Sequence, residues 1–322
     1  MSSAPPLAAV VTPVYNGAAF LAEAMDAVQA QTYPNLVHIV LDNASTDTTP
    51  AILERYRDAR IPVRTSRNAQ LLPLNANWNA ATCLVPDAAK YFRILPADDL
   101  MAPDFIARTV DVAERNSNVG VVGTLMHNSG WGTFDSNWPE REVWSGREAL
   151  RRHLTRESCL PSLHTLFRRS LIEPGAELFP VHLAGGDIAA VMGVLTKADL
   201  GMVHADLATT RIHEGSVTSV ATHKQRRYQY EWFYLLERFA PQAFEPDEAR
   251  AIIKLYRRGY LRRLLRGRIV ENDIYRLHRE GLDRLGVKLD FADFVDALTD
   301  YVHVRLGRRS VWQGYPLYGP AA

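Results

Sequence analysis

The sequence predicts an α/β fold with a mainly parallel sheet flanked by helices, followed by a helical C-terminal region. Residues 1–125 alternate short apolar, β-branched runs with longer segments of helical periodicity. Connections of this length join parallel neighbours of one sheet through a crossover helix. After about residue 223 the pattern changes to long arginine-rich segments with helical spacing. These observations together give the fold class.

The predicted strands are short and apolar, and helical spacing fills the segments between them. The second strand, LVHIVL, is apolar at nearly every position, as expected of a strand that is covered on both faces. A later helix begins at Asp187. The predicted strands are Leu7–Val14, Leu36–Leu41, Val63–Thr65, Tyr91–Leu95 and Val119–Gly123, and the helices between them are Ala18–Ala30, Thr49–Ala59, Asn75–Ala89 and Asp104–Asn116.

The composition is that of an ordinary globular protein and excludes several classes. Of the 322 residues, 47% are hydrophobic and 23% are charged. The formal net charge of +1 gives no support for a nucleic-acid partner. Two cysteines are too few for a disulfide framework, which favours a reducing compartment. The start of the chain lacks the features of a signal peptide, and no apolar run is long enough to span a bilayer. We therefore expect a cytoplasmic protein.

Polar clusters follow three of the predicted strands. In open α/β sheets, ligands bind beyond the carboxyl ends of the strands, so these clusters are expected to meet at one edge. A single polar residue in such a place is usually a helix cap or a solvated loop residue, but three clusters favour a site. They are Thr12-Pro13 with Tyr15-Asn16 after the first strand, Asp42-Asn43 after the second, and Asp98-Asp99 after the fourth.

The adjacent carboxylates Asp98 and Asp99 raise a question of charge. Two neighbouring negative charges repel, and burying either without a partner is costly. The chain has neither a G-x-x-x-x-G-K-[ST] loop nor a G-x-G-x-x-G loop after its first strand, which argues against the usual phosphate cradles. A divalent cation, Mn²⁺ or Mg²⁺, prefers oxygen ligands of this kind. The pair therefore predicts a metal that in turn binds a nucleotide diphosphate.

Three stretches resemble glycosyltransferase family 2. The opening VVTPVYNGAAFLAEAMDAVQAQTYPNLVHIVLDNASTDTT is similar to the start of these enzymes, ILPADDLMAPD to their metal-binding D-x-D region, and RIHEGSVTS to a motif near the end of their catalytic domain. The resemblance covers Ala8 to Ser219. It implies a GT-A fold in a catalytic domain of residues 1–222, with a nucleotide-binding half of about 1–125 and an acceptor half of about 126–222. Residues 223–322 form the helical region.

The resemblance implies roles for residues around the nucleotide. Thr12, Pro13 and Tyr15 would surround the base and the ribose. Asp42 would accept a hydrogen bond from the base, and Arg67 with Asn68 would lie near it. Asp42 suits uracil or thymine, and a UDP-sugar is the favoured donor.

The resemblance also implies the metal and catalytic residues. Asp98 would face the ribose or sugar and Asp99 would bind the metal, with His213 as a second ligand or a diphosphate contact. Many relatives carry an acid two positions before Asp98, where this chain has Pro96. The general base of the inverting reaction would be Asp187. That aspartate could instead be a helix N-cap.

The function implied is metal-dependent, inverting transfer of a sugar, of the hexosyltransferase type, to a hydroxyl group on a surface polysaccharide or glycolipid. Two alternatives stay open. A sugar-1-phosphate nucleotidyltransferase would need a Gly-rich, Arg-containing opening loop, which is absent here. A non-catalytic nucleotide-binding scaffold is compatible with Pro96 and with Gly186, which stands where relatives often carry an acid beside Asp187.

Several other residues can be interpreted as either structural or functional. His164 is expected to be structural rather than to line an acceptor cleft. Trp131, Trp138 and Trp144 could stack on a sugar or simply pack. The segment 254–268, KLYRRGYLRRLLRGR, has seven basic residues and no acid. Its apolar face is expected to pack onto the catalytic domain, with peripheral contact at the inner face of a membrane as the alternative.

Overall fold

The structure, a computed structural model of the chain, describes residues 4–129, 132–134, 137–173, 175–214, 216, 220 and 224–308. The chain divides into two compact units. The first comprises Met1–Ala149, Leu160–Val181 and Gly186–Ile212, and the second comprises Leu150–Cys159, His182–Gly185 and His213–Ala322. The boundary predicted between residues 222 and 223 lies outside the described residues and stays a prediction. Trp131 also lies outside them.

The first unit alternates strands and helices as the sequence predicts. In chain order its elements are β1 (Ala8–Val14), α1 (Leu21–Gln29), β2 (Leu36–Asp42), α2 (Thr49–Glu54), β3 (Val63–Arg67), α3 (Leu74–Thr82), β4 (Tyr91–Ile94), β5 (Leu100–Met101), α4 (Phe105–Arg115), β6 (Val119–Asn128), β7 (Gly132–Phe134), β8 (Val143–Trp144), α5 (Gly146–Leu154), β9 (Thr165–Arg168), α6 (Gly186–Leu195) and β10 (Asp199–Thr210). Helix α5 continues past Ala149 into the second unit.

The strands form one sheet with a parallel half and a mixed half. Its order among the described residues is β3-β2-β1-β4-β9-β6-β10-β5, with β7 beside β6 and β8 beside β10. The strands β3, β2, β1 and β4 are parallel neighbours, as predicted. Strand β9, which the sequence analysis does not anticipate, lies antiparallel to both β4 and β6. The α/β fold class is confirmed, and β9 makes the second half of the sheet mixed.

The central strands are buried on both faces. Every residue of β1 and of β2 is buried, which explains why LVHIVL shows no polar alternation. Helix α1 covers one side with Leu21, Met25 and Val28. These residues recur at helical spacing and lie in the apolar clusters that line the sheet. Trp138 and Trp144 are also buried and pack edge-to-face, with ring centroids 5.3 Å apart, so packing accounts for both.

The second unit is helical. Its main elements are α7 (Tyr228–Ala243), α8 (Pro246–Val270), α9 (Asn272–Arg284) and α10 (Phe291–Arg305). Helix α8 carries the basic run, and its Tyr256, Tyr260 and Leu264 are buried. The hydroxyl of Tyr256 donates to the carbonyl oxygen of Gln229 in α7, and that of Tyr260 lies 3.2 Å from Nδ1 of His278 in α9. These contacts bury the apolar face within the second unit, and its predicted packing onto the catalytic domain stays a prediction. No described helix is long and apolar enough to cross a membrane.

Candidate functional site

The carboxyl ends of the four parallel strands bring the predicted polar clusters to one edge of the first unit. Val14 of β1 lies opposite Asp42 of β2, and Asp42 lies opposite Arg67 of β3. Strand β4 runs parallel to β1 and leads into Asp98 and Asp99. Parallel pairing therefore assembles residues that are widely separated in the sequence.

Asp42 is a buried carboxylate with partners for both oxygens. The Arg67 guanidinium forms a salt bridge with Oδ2, while the backbone N–H of Ser45 donates to Oδ1 over 2.9 Å. Arg67 also donates to the carbonyl oxygen of Ser45 over 2.8 Å. The Asp42 side chain is 3% exposed and that of Arg67 is 49% exposed. The pair thus presents a half-exposed cation at the sheet edge, with its counter-charge beneath it.

Asparagine side chains connect the loops that follow β1, β2 and β3. The side-chain amide of Asn68 donates to Oδ1 of Asn43 over 2.8 Å and to Oδ1 of Asn77 over 2.9 Å. Asn16 adopts φ +48°, a left-handed conformation that asparagine tolerates, and its backbone N–H donates to Oγ of Ser45. These hydrogen bonds connect the loops at this edge of the sheet. Tyr15, beside Asn16, is 48% exposed.

Thr12 and Pro13 lie inside the sheet edge rather than on its surface. Both are buried, and Oγ1 of Thr12 lies 2.9 Å from Nε2 of His38 in β2. Burial lowers the pKa of His38 to about 3, so the imidazole is neutral at physiological pH. The Thr12 side chain therefore contacts the neighbouring strand β2. Its predicted place around the nucleotide stays a prediction.

Asp99 is buried at the end of the β4 connection and accepts hydrogen bonds on both oxygens. The backbone N–H of Arg211 donates to Oδ1 over 3.0 Å, and the Thr210 hydroxyl approaches Oδ2 at 3.4 Å. Burial, and then the negative charge of half-buried Asp98, raise the pKa of Asp99 to about 7. Burial and the neighbouring negative charge thus disfavour the ionised form of Asp99.

A buried cation that sequence reasoning missed interacts electrostatically with Asp99. Arg93 of β4 is 1% exposed, and its guanidinium stacks on the Phe105 ring at 4.0 Å from the centroid. Its Nε and Nη1 have no hydrogen-bond partner among the described residues. Burial lowers the pKa of Arg93 to about 9, opposed by attraction to Asp99. The signal was a charged residue inside the apolar run YFRIL, where a side chain can be buried only at a cost.

His164 is connected to Asp99 through Thr210. Nε2 of His164 lies 2.9 Å from Oγ1 of Thr210, and Nδ1 lies 3.4 Å from the carbonyl oxygen of Leu125. His164 is 2% exposed, and burial, followed by the charge of Arg93, lowers its pKa to about 3. A neutral, buried and hydrogen-bonded ring agrees with the structural role predicted for His164.

Asp187 lies half-buried in the first turn of α6, next to a glycine that has no room for a side chain. A Cβ built on Gly186 would be 2.3 Å from Nδ2 of Asn75. That amide is fixed by donating to the carbonyl oxygen of Pro180 over 2.8 Å. Asn75 therefore occupies the space that an acid at position 186 would need. The role of Asp187 as a base stays a prediction.

His213 belongs to the second unit, where its carbonyl oxygen accepts a hydrogen bond from the backbone N–H of Ser216 over 3.0 Å. Its predicted metal contact stays a prediction. Of the RIHEGSVTS stretch, Gly215 and residues 217–219 lie outside the described residues. Its first residue, Arg211, is held in place by an ion pair with Glu23 and by the Phe20 ring.

Residues 9–174, just over half of the chain, match the model of the family described as glycosyl transferase family 2. The chain belongs to glycosyl transferase family 2. The matched segment contains the Asp42–Arg67 pair, Asn68 and both carboxylates of the Asp98-Asp99 pair. The resemblance drawn from the sequence is therefore confirmed.

Two curated relatives in this family show how far the similarity extends. An uncharacterized glycosyltransferase of Rickettsia prowazekii is 25% identical over 246 residues, which cover 74% of each chain. An uncharacterized glycosyltransferase of Haemophilus influenzae is 28% identical over 144 residues, and the match spans less than half of either protein, 43% of each.

Solved structures of glycosyltransferases share the fold. S. aureus TarS 1-349 in complex with UDP-GlcNAc superposes with a TM-score of 0.64 at 19% identity, covering 92% of this chain and 81% of that one. The mannosyltransferase PcManGT from Pyrobaculum calidifontis, in complex with GDP-Man and Mn²⁺, gives a TM-score of 0.58 at 18% identity, covering 94% and 81%. The GT-A-like α/β architecture and the helical C-terminal region are thus those of known glycosyltransferases.

Proposed function

We propose that this family 2 member transfers a sugar from a nucleoside-diphosphate donor to a hydroxyl acceptor, with inversion at the anomeric carbon. The observation that carries the proposal is one sheet edge that holds the Asp42–Arg67 pair and, after β4, Asp98 and Asp99. A nucleotide base is bound through hydrogen bonds, and a diphosphate through a cation held by carboxylates. This edge provides hydrogen-bonding groups at one strand end and carboxylates at another.

The donor is proposed to lie with its base near Asp42 and its diphosphate near Asp99. Asn68 and Tyr15 flank the base position, Asn68 on the β3 side and Tyr15 as an exposed ring. The related folds whose structures contain UDP-GlcNAc or GDP-Man show that both uridine and guanosine donors occur on this architecture. Uridine is the favoured base of the donor, with the Asp42 carboxylate accepting the imide N–H of uracil.

The carboxylate pair suits a divalent cation that shares its ligands with the donor. Among the described residues, no three His, Cys, Asp or Glu side chains are grouped to hold a metal ion unaided. Mg²⁺ and similar cations are commonly bound through one or two carboxylates plus substrate phosphates, so Asp99 and Asp98 fit such an ion. When bound, it would neutralise the charge that builds on the departing diphosphate. We propose Mn²⁺ or Mg²⁺, with His213 as a further ligand or a diphosphate contact.

The chain's own residues supply positioning and proton transfer. The acceptor oxygen attacks the anomeric carbon, the bond from that carbon to the diphosphate oxygen breaks, and the electron pair leaves with the diphosphate. The proton of the acceptor hydroxyl passes to the carboxylate of Asp187. Attack opposite the leaving group gives inversion. The acceptor class proposed is a saccharide or glycolipid in cell-surface polysaccharide or glycolipid synthesis on the cytoplasmic side.

The test is donor turnover by the purified protein. UDP-, dTDP- and GDP-sugars are incubated with Mn²⁺ and a panel of saccharide and glycolipid acceptors, and the release of nucleoside diphosphate is measured. We expect one nucleotide class to turn over and Asp99→Asn to lower the rate at least about 100-fold. Asp111→Asn, at an exposed carboxylate paired with Arg115, is the matched control and should keep its rate.

A second candidate function is a nucleotide-binding scaffold without catalytic activity, and one specific observation favours it. Gly186, held against Asn75, and Pro96 both stand where relatives often carry an acid. Nucleotide binding without turnover of any donor, across the whole acceptor panel, would contradict the transferase proposal and support this one.

A further inference from the structure

The basic run of α8 divides into two sides with different partners. The residues on one side, four cations, form salt bridges with three carboxylates of α10, so most of their charge is neutralised within the unit. These pairs are Lys254–Asp296, Arg257–Asp293, Arg258–Asp296, Arg258–Asp300 and Arg262–Asp300. Arg263 and Arg266 point to another side of the helix, where a cavity lies between α8, α7 and α9.

This cavity has a volume of about 390 Å³ and is lined by both polar and apolar side chains. An apolar strip made by Leu264, Ile274 and Tyr275 borders it. The remaining lining residues are Arg226, Gln229, Arg263, Arg266, Gly267, Glu271 and His278. All of them belong to the second unit.

The charged lining residues are three arginines and one glutamate, which leaves a surplus of two positive charges. Both oxygens of Glu271 accept hydrogen bonds from Arg226, at 2.5 and 2.9 Å. The hydrogen bond from Arg226, followed by attraction to Arg226 and Arg266, lowers the pKa of Glu271, so the acid interacts with both arginines. Arg266 makes no salt bridge or hydrogen bond with another described residue, and Arg263 lies 5.9 Å from the Tyr256 ring centroid.

His278, in the wall of the cavity, provides no negative charge that could balance the arginines. Nδ1 of His278 lies 3.2 Å from the Tyr260 hydroxyl, and Nε2 lies 3.1 Å from the carbonyl oxygen of Gln225. Both ring nitrogens are thus engaged within the unit. Arg263 and Arg266 line the cavity beside this histidine.

We propose that this cavity binds a phosphate-bearing anion through Arg263 and Arg266. The guanidinium group presents donors in a planar fork that matches phosphate oxygens, which makes arginine the preferred residue for such ligands. The apolar strip offers a surface for the organic group attached to the phosphate. The volume, at the lower end of ordinary ligand sites, suits one small phosphate ester or one headgroup of a larger molecule. The proposal does not depend on the transferase function.

The experiment measures binding to the full-length protein in EDTA, which removes any cation-dependent binding of phosphate elsewhere. Glycerol 3-phosphate is the small probe, with glycerol as the uncharged control. Phosphatidylglycerol vesicles are compared with phosphatidylcholine vesicles to test a headgroup source. We expect saturable binding of glycerol 3-phosphate and none of glycerol. Added binding to the anionic vesicles would identify a headgroup, and its absence a free phosphate ester.

The variants locate the site. Arg266→Gln removes an exposed cation and Arg263→Gln its partner, and each should weaken binding about tenfold or more. Arg250→Gln on the same helix makes the same change of charge at a residue that pairs with exposed Asp247, and should bind as the wild type does. No saturable binding of either probe would overturn the proposal, and so would equal weakening by Arg266→Gln and Arg250→Gln. Because Arg266 is exposed, its variant is expected to fold normally.

Discussion

The backbone N–H of Arg211 donates to Oδ1 of Asp99 across 112 residues of sequence, over 3.0 Å. The bond ties the carboxylate that follows β4 to the residue that begins the RIHEGSVTS stretch. Arg211 is itself fixed to α1 through its ion pair with Glu23. The candidate metal ligand is therefore positioned by backbone as well as by side chains, which limits how far Asp99 can turn.

Gly186 is predicted to be intolerant of any side chain. Gly186→Ala would put a Cβ 2.3 Å from Nδ2 of Asn75, and overpacking of this kind costs about 1–3 kcal/mol. We expect a lower free energy of unfolding, measured by denaturant titration. In an Asn75→Ala background the same substitution should cost less, because the obstructing amide is gone.

Gly193 provides the matched control on the same helix. A Cβ there would have nothing within 4 Å, so Gly193→Ala should stabilise α6 by up to about 1 kcal/mol through helix propensity. Equal effects of Gly186→Ala and Gly193→Ala would contradict the close packing of Gly186 against Asn75.

Asp187 is predicted to act on the proton rather than on the nucleotide. Asp187→Asn should lower turnover at least about 100-fold, because a positioned base contributes 10²–10⁴-fold, and should leave nucleotide affinity unchanged. The rate is measured by diphosphate release and the affinity by calorimetry. Asp247→Asn, also in the first turn of a helix but 95% exposed, is the control. Intact turnover in Asp187→Asn would contradict the assignment of Asp187 as the base.

His38 is predicted to make the fold sensitive to acid. Burial lowers its pKa from 6.5 to about 3, so between these pH values the unfolded chain binds a proton that the folded chain does not bind. Stability is therefore lost as the pH falls below 6.5, by about 2 kcal/mol at pH 5 for this one group. His38→Gln should reduce the loss between pH 7 and pH 5 by that amount, measured by urea unfolding. Exposed His303→Gln should not change it.

The parallel half of the sheet and its polar edge can be predicted from the sequence because their signals are local. A nearly continuous apolar run such as Leu36–Leu41 identifies a strand buried on both faces, and helical spacing identifies α1. Strand direction then follows from the crossovers, and with it the shared edge that carries Asp42 and Asp99.

The antiparallel strand β9 and the surroundings of Asp99 could not be predicted in the same way. Thr165–Arg168 is a short run whose identity as a strand depends on pairing with β4 and β6. Thr210 reaches Asp99 only after the chain has returned along β10. Arg93 was visible as a charge in an apolar run, but its stacking on Phe105 depends on tertiary packing.

The most direct test of the proposed site is calorimetric titration of UDP, dTDP and GDP into the protein, each in Mn²⁺ and in EDTA. We predict that one nucleotide, with UDP favoured, binds tightly in Mn²⁺ and that its affinity collapses in EDTA and in Asp99→Asn. Binding that is equally tight in EDTA would contradict the assignment of Asp98 and Asp99 to a metal bound with the diphosphate. Failure of all three nucleotides to bind would contradict the nucleotide site itself.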